Sequence, residues 1–81
     1  MSDNLVDAMV HMREQEALAL AQKMLNDGVH PFKVLEQCRE AVEMVGKQFE
    51  LGKYFLPELV MAGEMLKKIS KIDTIKLKVV Q

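Results

Sequence analysis

The sequence of 81 residues contains no tryptophan, a single cysteine, two prolines and four glycines. One cysteine excludes a disulfide within the chain and is typical of a reducing compartment, so we expect a cytoplasmic protein. No apolar run approaches the roughly 18–20 residues of a membrane-spanning helix, and the N-terminus lacks the basic and apolar regions of a secretory signal. A net charge of −1 provides no basic footprint for nucleic acid. We therefore expect neither a membrane nor nucleic acid as a partner.

The residues that are abundant indicate a folded, helical domain. Apolar residues make up 49% of the chain and charged residues 28%, which is typical of globular proteins. Few glycines and prolines mean few turns, and this favours helices. A chain of this size has a marginal core. It needs well-packed helices, a second copy of itself or further chain to be stable.

The breakers mark where the helices begin and end. Asn4 followed by Asp7 resembles a capping box at the start of a first helix. Gly28 is placed to be the left-handed residue after the last helical position of the segment over 4–27. That segment contains no glycine or proline before Gly28. It is therefore either one bent helix or two tightly joined helices.

Two further helices begin near the prolines. Pro31 and Pro57 each suit an initial helical position, where a missing N–H costs nothing, and Gly52 ends the helix that begins at Pro31. The two helices carry apolar stripes at helical spacing. The stripes consist of Leu35, Cys38, Val42, Val45 and Phe49, and of Leu59, Ala62, Gly63, Leu66 and Ile69. These patterns predict an all-α domain over residues 1–71.

The last ten residues follow a different pattern. Ile75, Leu77 and Val79 alternate with polar or charged residues in the manner of a β-strand. A single strand has no partner in this chain. We therefore expect an extended or disordered tail over 72–81, either paired with another molecule or left as the first strand of a following domain.

The residue types that usually carry chemistry predict no catalytic or metal site. His11 and His30 lie on different segments, whereas a metal site needs several converging ligands. Cys38 falls in a core stripe, where an inert buried thiol is expected. Three glutamates share one helical face but lack the Glu-x-x-His pattern of carboxylate metal sites. They are Glu36, Glu40 and Glu43, and we interpret them as a solvated face.

The segment from Val45 to Leu59 is the most informative part of the chain. Gly46 lies inside an amphipathic helix, where glycine costs about 1 kcal/mol relative to alanine. Such a glycine permits close approach of a neighbouring helix or a ligand. Large apolar residues are concentrated around the following turn, namely Phe49, Tyr54, Phe55, Leu56 and Leu59. They either close the end of a bundle or form an apolar platform for a flat ligand or partner domain.

The pattern V-G-x-x-F-x-x-G-x-x-F-L-P-x-L, which includes Gly46, Gly52, Phe55 and Pro57, closely resembles the helical cap of cobalamin-binding proteins. These include methionine synthase and the small corrinoid proteins of methyltransferase systems. The resemblance extends from about Leu5 to about Leu66, through Gly28 and Pro31. It implies a four-helix bundle in which the segment over 4–27 divides near Met12.

The resemblance also implies a function. In that family the cap covers the upper, methyl-bearing face of methylcobalamin until a methyltransferase displaces it. The positions that contact the corrin correspond to Phe49, Leu56 and Leu59. The chain is then expected to be a non-catalytic module in methyl transfer, without a catalytic residue. Its expected partner is a cobalamin-binding domain or a methyltransferase subunit.

Three departures from the family pattern qualify these expectations. The Asp-x-His-x-x-Gly motif that supplies the lower cobalt ligand is absent, so we do not expect this chain alone to bind cobalamin tightly. Met12-Arg13 replaces a Gly-Asp-like pair, which permits a continuous first helix. His30 replaces the Asp or Ser that usually precedes Pro31, and losing such a cap typically costs about 1 kcal/mol.

A second hypothesis belongs to another class of protein, a helical self-association module with no cofactor role. Without a partner domain, the platform around Phe49, Tyr54, Phe55 and Leu56 is expected to be exposed. Exposed apolar patches of this kind favour association. A symmetric homodimer is the commonest closed assembly.

Overall fold

The computed structural model describes the backbone of residues 4–80 and the side chains of residues 4–74. Over this range the chain forms four α-helices, which are α1 (Leu5–Val10), α2 (Glu14–Asn26), α3 (Pro31–Glu50) and α4 (Leu56–Val80). α3 and α4 pack together most extensively, α1 packs on α2 and α3, and α2 also packs on α4. The predicted all-α four-helix bundle is therefore confirmed.

Two helices end at glycines, as predicted. Gly28 follows α2 with φ 94° and Gly52 follows α3 with φ 79°, both in the left-handed region. The N–H of Gly52 donates to the carbonyl of Phe49 (3.0 Å), and the N–H of Lys53 donates to that of Gln48 (2.9 Å). This pair of bonds is the Schellman motif, which satisfies carbonyls left open at a helix C-terminus.

The segment over 4–27 consists of two helices because the chain turns at Met12. Met12 has φ 62° and takes the position that glycine occupies after α2 and α3. Its N–H donates to the carbonyl of Met9 (3.1 Å), and the N–H of Arg13 donates to that of Ala8 (2.8 Å). A left-handed residue other than glycine costs on the order of 1 kcal/mol or more. The surrounding structure must therefore stabilise this turn.

Asp7 supplies part of that stabilisation. Its carboxylate accepts a hydrogen bond from the Arg13 guanidinium at 2.8 Å and lies 3.2 Å from Nδ1 of His11. The hydrogen bond from Arg13 is the main cause that holds the pKa of Asp7 below its usual value. Charges on both sides of the turn thus favour the division of the segment at Met12.

Side chains cap the starts of α1 and α3. Asn4 Oδ1 accepts from the N–H of Asp7 at 2.7 Å, so the predicted cap is present. Before α3, Nδ1 of His30 accepts from the N–H of Phe32 at 3.1 Å. His30 therefore caps α3 in place of the usual Asp or Ser, and the cap is not lost. An unprotonated imidazole nitrogen is a hydrogen-bond acceptor, and the ring also stacks on Phe32 with centroids 5.2 Å apart.

The core lies where all four helices meet. In α3, Cys38 and Val45 are fully buried as predicted. Leu35 and Val42 are only half-buried, and Phe49 is exposed. The stripe prediction is wrong for Leu35 and Phe49, because α3 packs against both α1 and α4, which rotates its buried line. Val42 still packs against the core. The full core comprises Leu5, Ala8, Met9, Val10, Ala17, Ala21, Leu25, Val34, Cys38, Ala41, Val45, Ala62, Met65 and Ile69.

α4 has its own buried line, formed by Ala62, Met65, Ile69 and Asp73. Gly63, which the sequence places in the apolar stripe, is exposed, and a Cβ built on it meets no atom within 4 Å. The buried line, which the sequence pattern predicts to be apolar, therefore continues with the acidic residue Asp73.

The predicted strand over 72–80 is wrong, because α4 continues through this segment to Val80. A lone strand leaves its backbone groups unpaired, whereas a helix satisfies them within the segment. No glycine or proline follows Gly63 to stop the helix. The side chains of Ile75, Leu77 and Val79, on which the strand prediction rests, lie outside the described side chains.

Candidate functional site

Large apolar side chains are exposed around the turn between α3 and α4. Six of the eight exposed large hydrophobic residues among the described side chains lie there. We call these six the turn patch: Phe49, Leu51, Phe55, Leu56, Val60 and Met61. An apolar cluster of this kind marks an interaction site in a soluble domain more often than a chance feature.

Tyr54 connects the turn to the end of α1. Its hydroxyl donates to the backbone carbonyl of Val10, at the end of α1, with an O···O distance of 2.6 Å. Its ring is half-buried and packs against the core. The expectation that Tyr54 belongs to an exposed platform is therefore wrong. The hydroxyl needs a partner, and the partner lies inside the bundle.

The start of α4 is held by a second local bond. The carboxylate of Glu58 accepts from the N–H of Phe55 at 2.8 Å, which is the return half of a capping box. Pro57, two residues after Phe55, restricts its own backbone φ. The backbone that carries the turn patch is therefore ordered by these local contacts.

The three predicted cofactor-contacting residues lie together at this end of the molecule. Phe49 is 43% exposed and Leu56 is 64% exposed, whereas Leu59 is half-buried and packs against the core. Leu56 and Leu59 are three residues apart on α4, so they share a face. Phe49 and Leu56 are the better placed of the three to contact another molecule.

Gly46 lies one helical turn before Phe49, on the same side of α3. A Cβ built at Gly46 meets no atom within 4 Å. The reading in which Gly46 admits a neighbouring helix of this chain is therefore wrong. The backbone there stays open, so the alternative of a ligand or another molecule remains a prediction.

Sequence reasoning did not place three members of the turn patch around the turn. Val60 is 56% exposed, Leu51 is 67% exposed and Met61 is 40% exposed. Val60 follows Leu56 by four residues, which places both on one helical face, so this spacing could have identified it. Leu51 gave no comparable signal because it is the residue that follows α3.

Polar chemistry is sparse throughout the described part of the chain. No group of three or more His, Cys, Asp or Glu side chains among its described residues could hold a metal ion. Cys38 is buried, and burial raises the pKa of its thiol to about 12, which suppresses the reactive thiolate. No helix in the described residues is long and apolar enough to cross a membrane. The turn patch itself offers apolar contact.

Comparison with known proteins agrees with this geometry. The chain is 34% identical over 61 residues to trimethylamine corrinoid protein 1 of Methanosarcina acetivorans, a match that covers 74% of this chain. It spans only 28% of that relative's length. No solved structure matches the chain. A family model for the B12 binding domain matches residues 1–72, so the chain belongs to that family, the helical cap domain of corrinoid proteins.

Proposed function

We propose that this bundle covers the upper face of the corrin of methylcobalamin, with Phe49, Leu56 and Leu59 over the ring. The observation that carries the proposal is the turn patch, a cluster of exposed apolar side chains on a turn that Tyr54 and Glu58 hold in place. A rigid apolar surface suits a flat, rigid ligand because little conformational entropy is lost on contact.

The residues present fit such a group. Ligand sites are lined mainly by apolar side chains with few polar groups, and the turn patch has this composition. Gly46 and Gly63 leave open backbone on the two helices that carry the patch. A flat ring can therefore approach α3 and α4 without displacing a side chain at either position.

The role of the chain in methyl transfer follows from the same surface. Cobalamin supplies the chemistry of the methyl–cobalt bond when it is bound. Phe49 and Leu56 would exclude water from that bond. All six side chains of the patch are apolar, so no hydrogen bond from them has to break when the cap moves aside. We therefore propose a non-catalytic, cytoplasmic module whose partner is a cobalamin-binding domain or a methyltransferase subunit.

Cobalamin is not expected to bind tightly to this chain alone. The sequence has no Asp-x-His-x-x-Gly segment to supply a lower ligand, and the turn patch contacts only one face of the ring. Affinity then depends on a second domain that presents the cofactor.

The proposal is tested by mixing the chain with a separately produced, methylcobalamin-loaded cobalamin-binding domain and measuring complex formation by analytical ultracentrifugation. We expect a complex with the wild-type chain and weaker binding for Leu56→Ser. Phe32→Ser is the matched control because Phe32 is also exposed, at 62%, but lies at the opposite end of α3. Equal binding by Leu56→Ser and the wild type would reject the proposal.

Self-association is the second candidate, and the same six residues favour it. Side chains between 40% and 67% exposed are left without cover when no partner domain is present. A homodimer through the turn patch would cover them in both copies. Sedimentation velocity then gives a dimer for the wild type and a monomer for Leu56→Ser. A monomeric wild type at high micromolar concentration would exclude this candidate.

A further inference from the structure

Asp73 is the one charged residue that is buried among the described side chains. It is 1% exposed, on the inner line of α4. Neither carboxylate oxygen has a hydrogen-bond partner in the described part of the chain. Buried charges are normally paired, and an unpaired one carries a desolvation cost that no bond offsets.

The side chains described around Asp73 offer it no cation. On α3, the titratable group close enough to interact with it is the Cys38 thiol, which is neutral at ordinary pH. The buried side chains of α1 and α2 are all apolar. On α4 itself, Lys68 and Lys71 are exposed, and Lys68 pairs instead with Glu14 at 2.6 Å.

The protonation state of Asp73 therefore affects how α4 packs. Burial raises the pKa of the carboxyl to about 6 from its ordinary value of 3.8. A group whose pKa is raised by folding stabilises the packed state. This contribution is fully present at pH values below the ordinary pKa and is lost as the pH rises through the raised pKa. The relevant window runs from about pH 4 to above pH 6.

We propose that Asp73 is a pH-dependent latch for the C-terminal part of α4. With the carboxyl protonated, residues 70–74 of α4 stay packed on the bundle. With the carboxylate ionised and unpartnered, the equilibrium shifts toward release of that segment. The latch lies at the opposite end of α4 from the turn patch, so it acts without disturbing Leu56 or Val60. It is independent of the proposed function.

Hydrogen–deuterium exchange on the full chain tests the latch, with rates corrected for the intrinsic pH dependence of exchange. In the wild type we expect protection over residues 70–74 to fall by up to about thirtyfold between about pH 4.5 and pH 7.5, since each pKa unit is a tenfold change and part of the effect of the shift is already present below pH 4.5. Asp73→Asn removes this dependence. Glu64→Gln, which alters an exposed carboxylate of α4, retains it.

Three results would overturn the proposal. One is protection over 70–74 that does not change with pH in the wild type. Another is the same fall in Asp73→Asn. The third is an equal loss of protection in the core of α3 around Ala41, since this would show unfolding of the whole bundle rather than release of one segment. Where Asp73→Asn lacks the wild-type helical circular dichroism, Asp73→Leu takes its place.

Discussion

The two ends of α4 depart from the usual distribution of residues in opposite ways. At its start, Leu56 and Val60 place apolar side chains in solvent. Near its other end, Asp73 places a carboxylate in the core. The exposed end is fastened by Tyr54 and Glu58, whereas the buried carboxylate has no partner in the described residues. Exposed apolar side chains on an ordered turn indicate a contact surface. A buried carboxylate without a partner indicates packing that depends on its protonation state.

The largest expected effect separates a fully buried position of α4 from a partly exposed one. Met65 is fully buried, whereas Met61, one turn earlier, is 40% exposed. Met65→Ala should lower the free energy of unfolding by about 2–5 kcal/mol because it leaves a cavity. Met61→Ala should change it by less than about 0.5 kcal/mol. Urea denaturation measures both, and similar losses would contradict the difference in burial between the two methionines.

The next effect has the opposite sign and concerns the buried carboxylate. Asp73→Leu should raise the free energy of unfolding near pH 7 by up to about 3 kcal/mol, because a pKa raised from 3.8 to about 6 corresponds to about 1.4 kcal/mol per unit. The gain should shrink as the pH falls toward 4, where the wild-type carboxyl is protonated. Denaturation at several pH values measures it. A destabilised variant near pH 7 would show that overpacking outweighs the removal of the charge.

A smaller effect tests how the exposed end is held. Tyr54→Phe removes the hydrogen bond to the carbonyl of Val10 and should cost about 1 kcal/mol. The same variant should also weaken binding to a cobalamin-loaded domain, since the turn patch loses its anchor. Phe55→Leu alters an exposed ring of the same turn and should leave stability nearly unchanged. Thermal unfolding compares them, and equal stability of Tyr54→Phe and the wild type would mean that the turn needs no anchor.

The smallest effect concerns the exposed ion pairs at the α1–α2 turn. The pKa of Asp7 is lowered mainly by its hydrogen bond from Arg13. The contribution of Asp7 to stability is therefore present at pH values above its ordinary pKa of 3.8. It is lost as the pH falls through the lowered pKa. Asp7→Asn should be slightly less stable near pH 7 and equal to the wild type in strong acid. Asp27→Asn, which alters an exposed pair with Lys23, is the control, and high salt should reduce both effects.

The sequence predicted most of the fold because its breakers act locally. Gly28 and Gly52 adopt the left-handed backbone that glycine allows, and Pro31 begins α3. The turn at Met12 could not be predicted from the residues alone, since methionine carries no turn signal. Its geometry depends on contacts such as the one between Asp7 and Arg13, which form only after the chain has turned.

The site was predicted less completely than the fold. The apolar residues around the turn identified the right end of the molecule, but exposure depends on how far α3 rotates in the bundle, and spacing does not give that rotation. Tyr54 was misplaced because its hydroxyl bonds to the carbonyl of Val10, and the spacing of apolar residues does not show such a bond. Asp73 was missed because the alternation after it suggested a strand, although Leu66, Ile69 and Asp73 follow one another at helical steps of three and four.

The central claim, that the turn patch covers the corrin, is tested most directly by the light-driven cleavage of the methyl–cobalt bond. The rate is measured for methylcobalamin on a separate cobalamin-binding domain, with and without saturating amounts of this chain. We expect the wild type and Phe32→Ser to slow the net loss of the methyl group, because apolar cover holds the fragments together. The double variant Phe49→Ser/Leu56→Ser should not slow it. A bound wild-type chain that leaves the rate unchanged, or a double variant that protects as well as the wild type, would contradict the account.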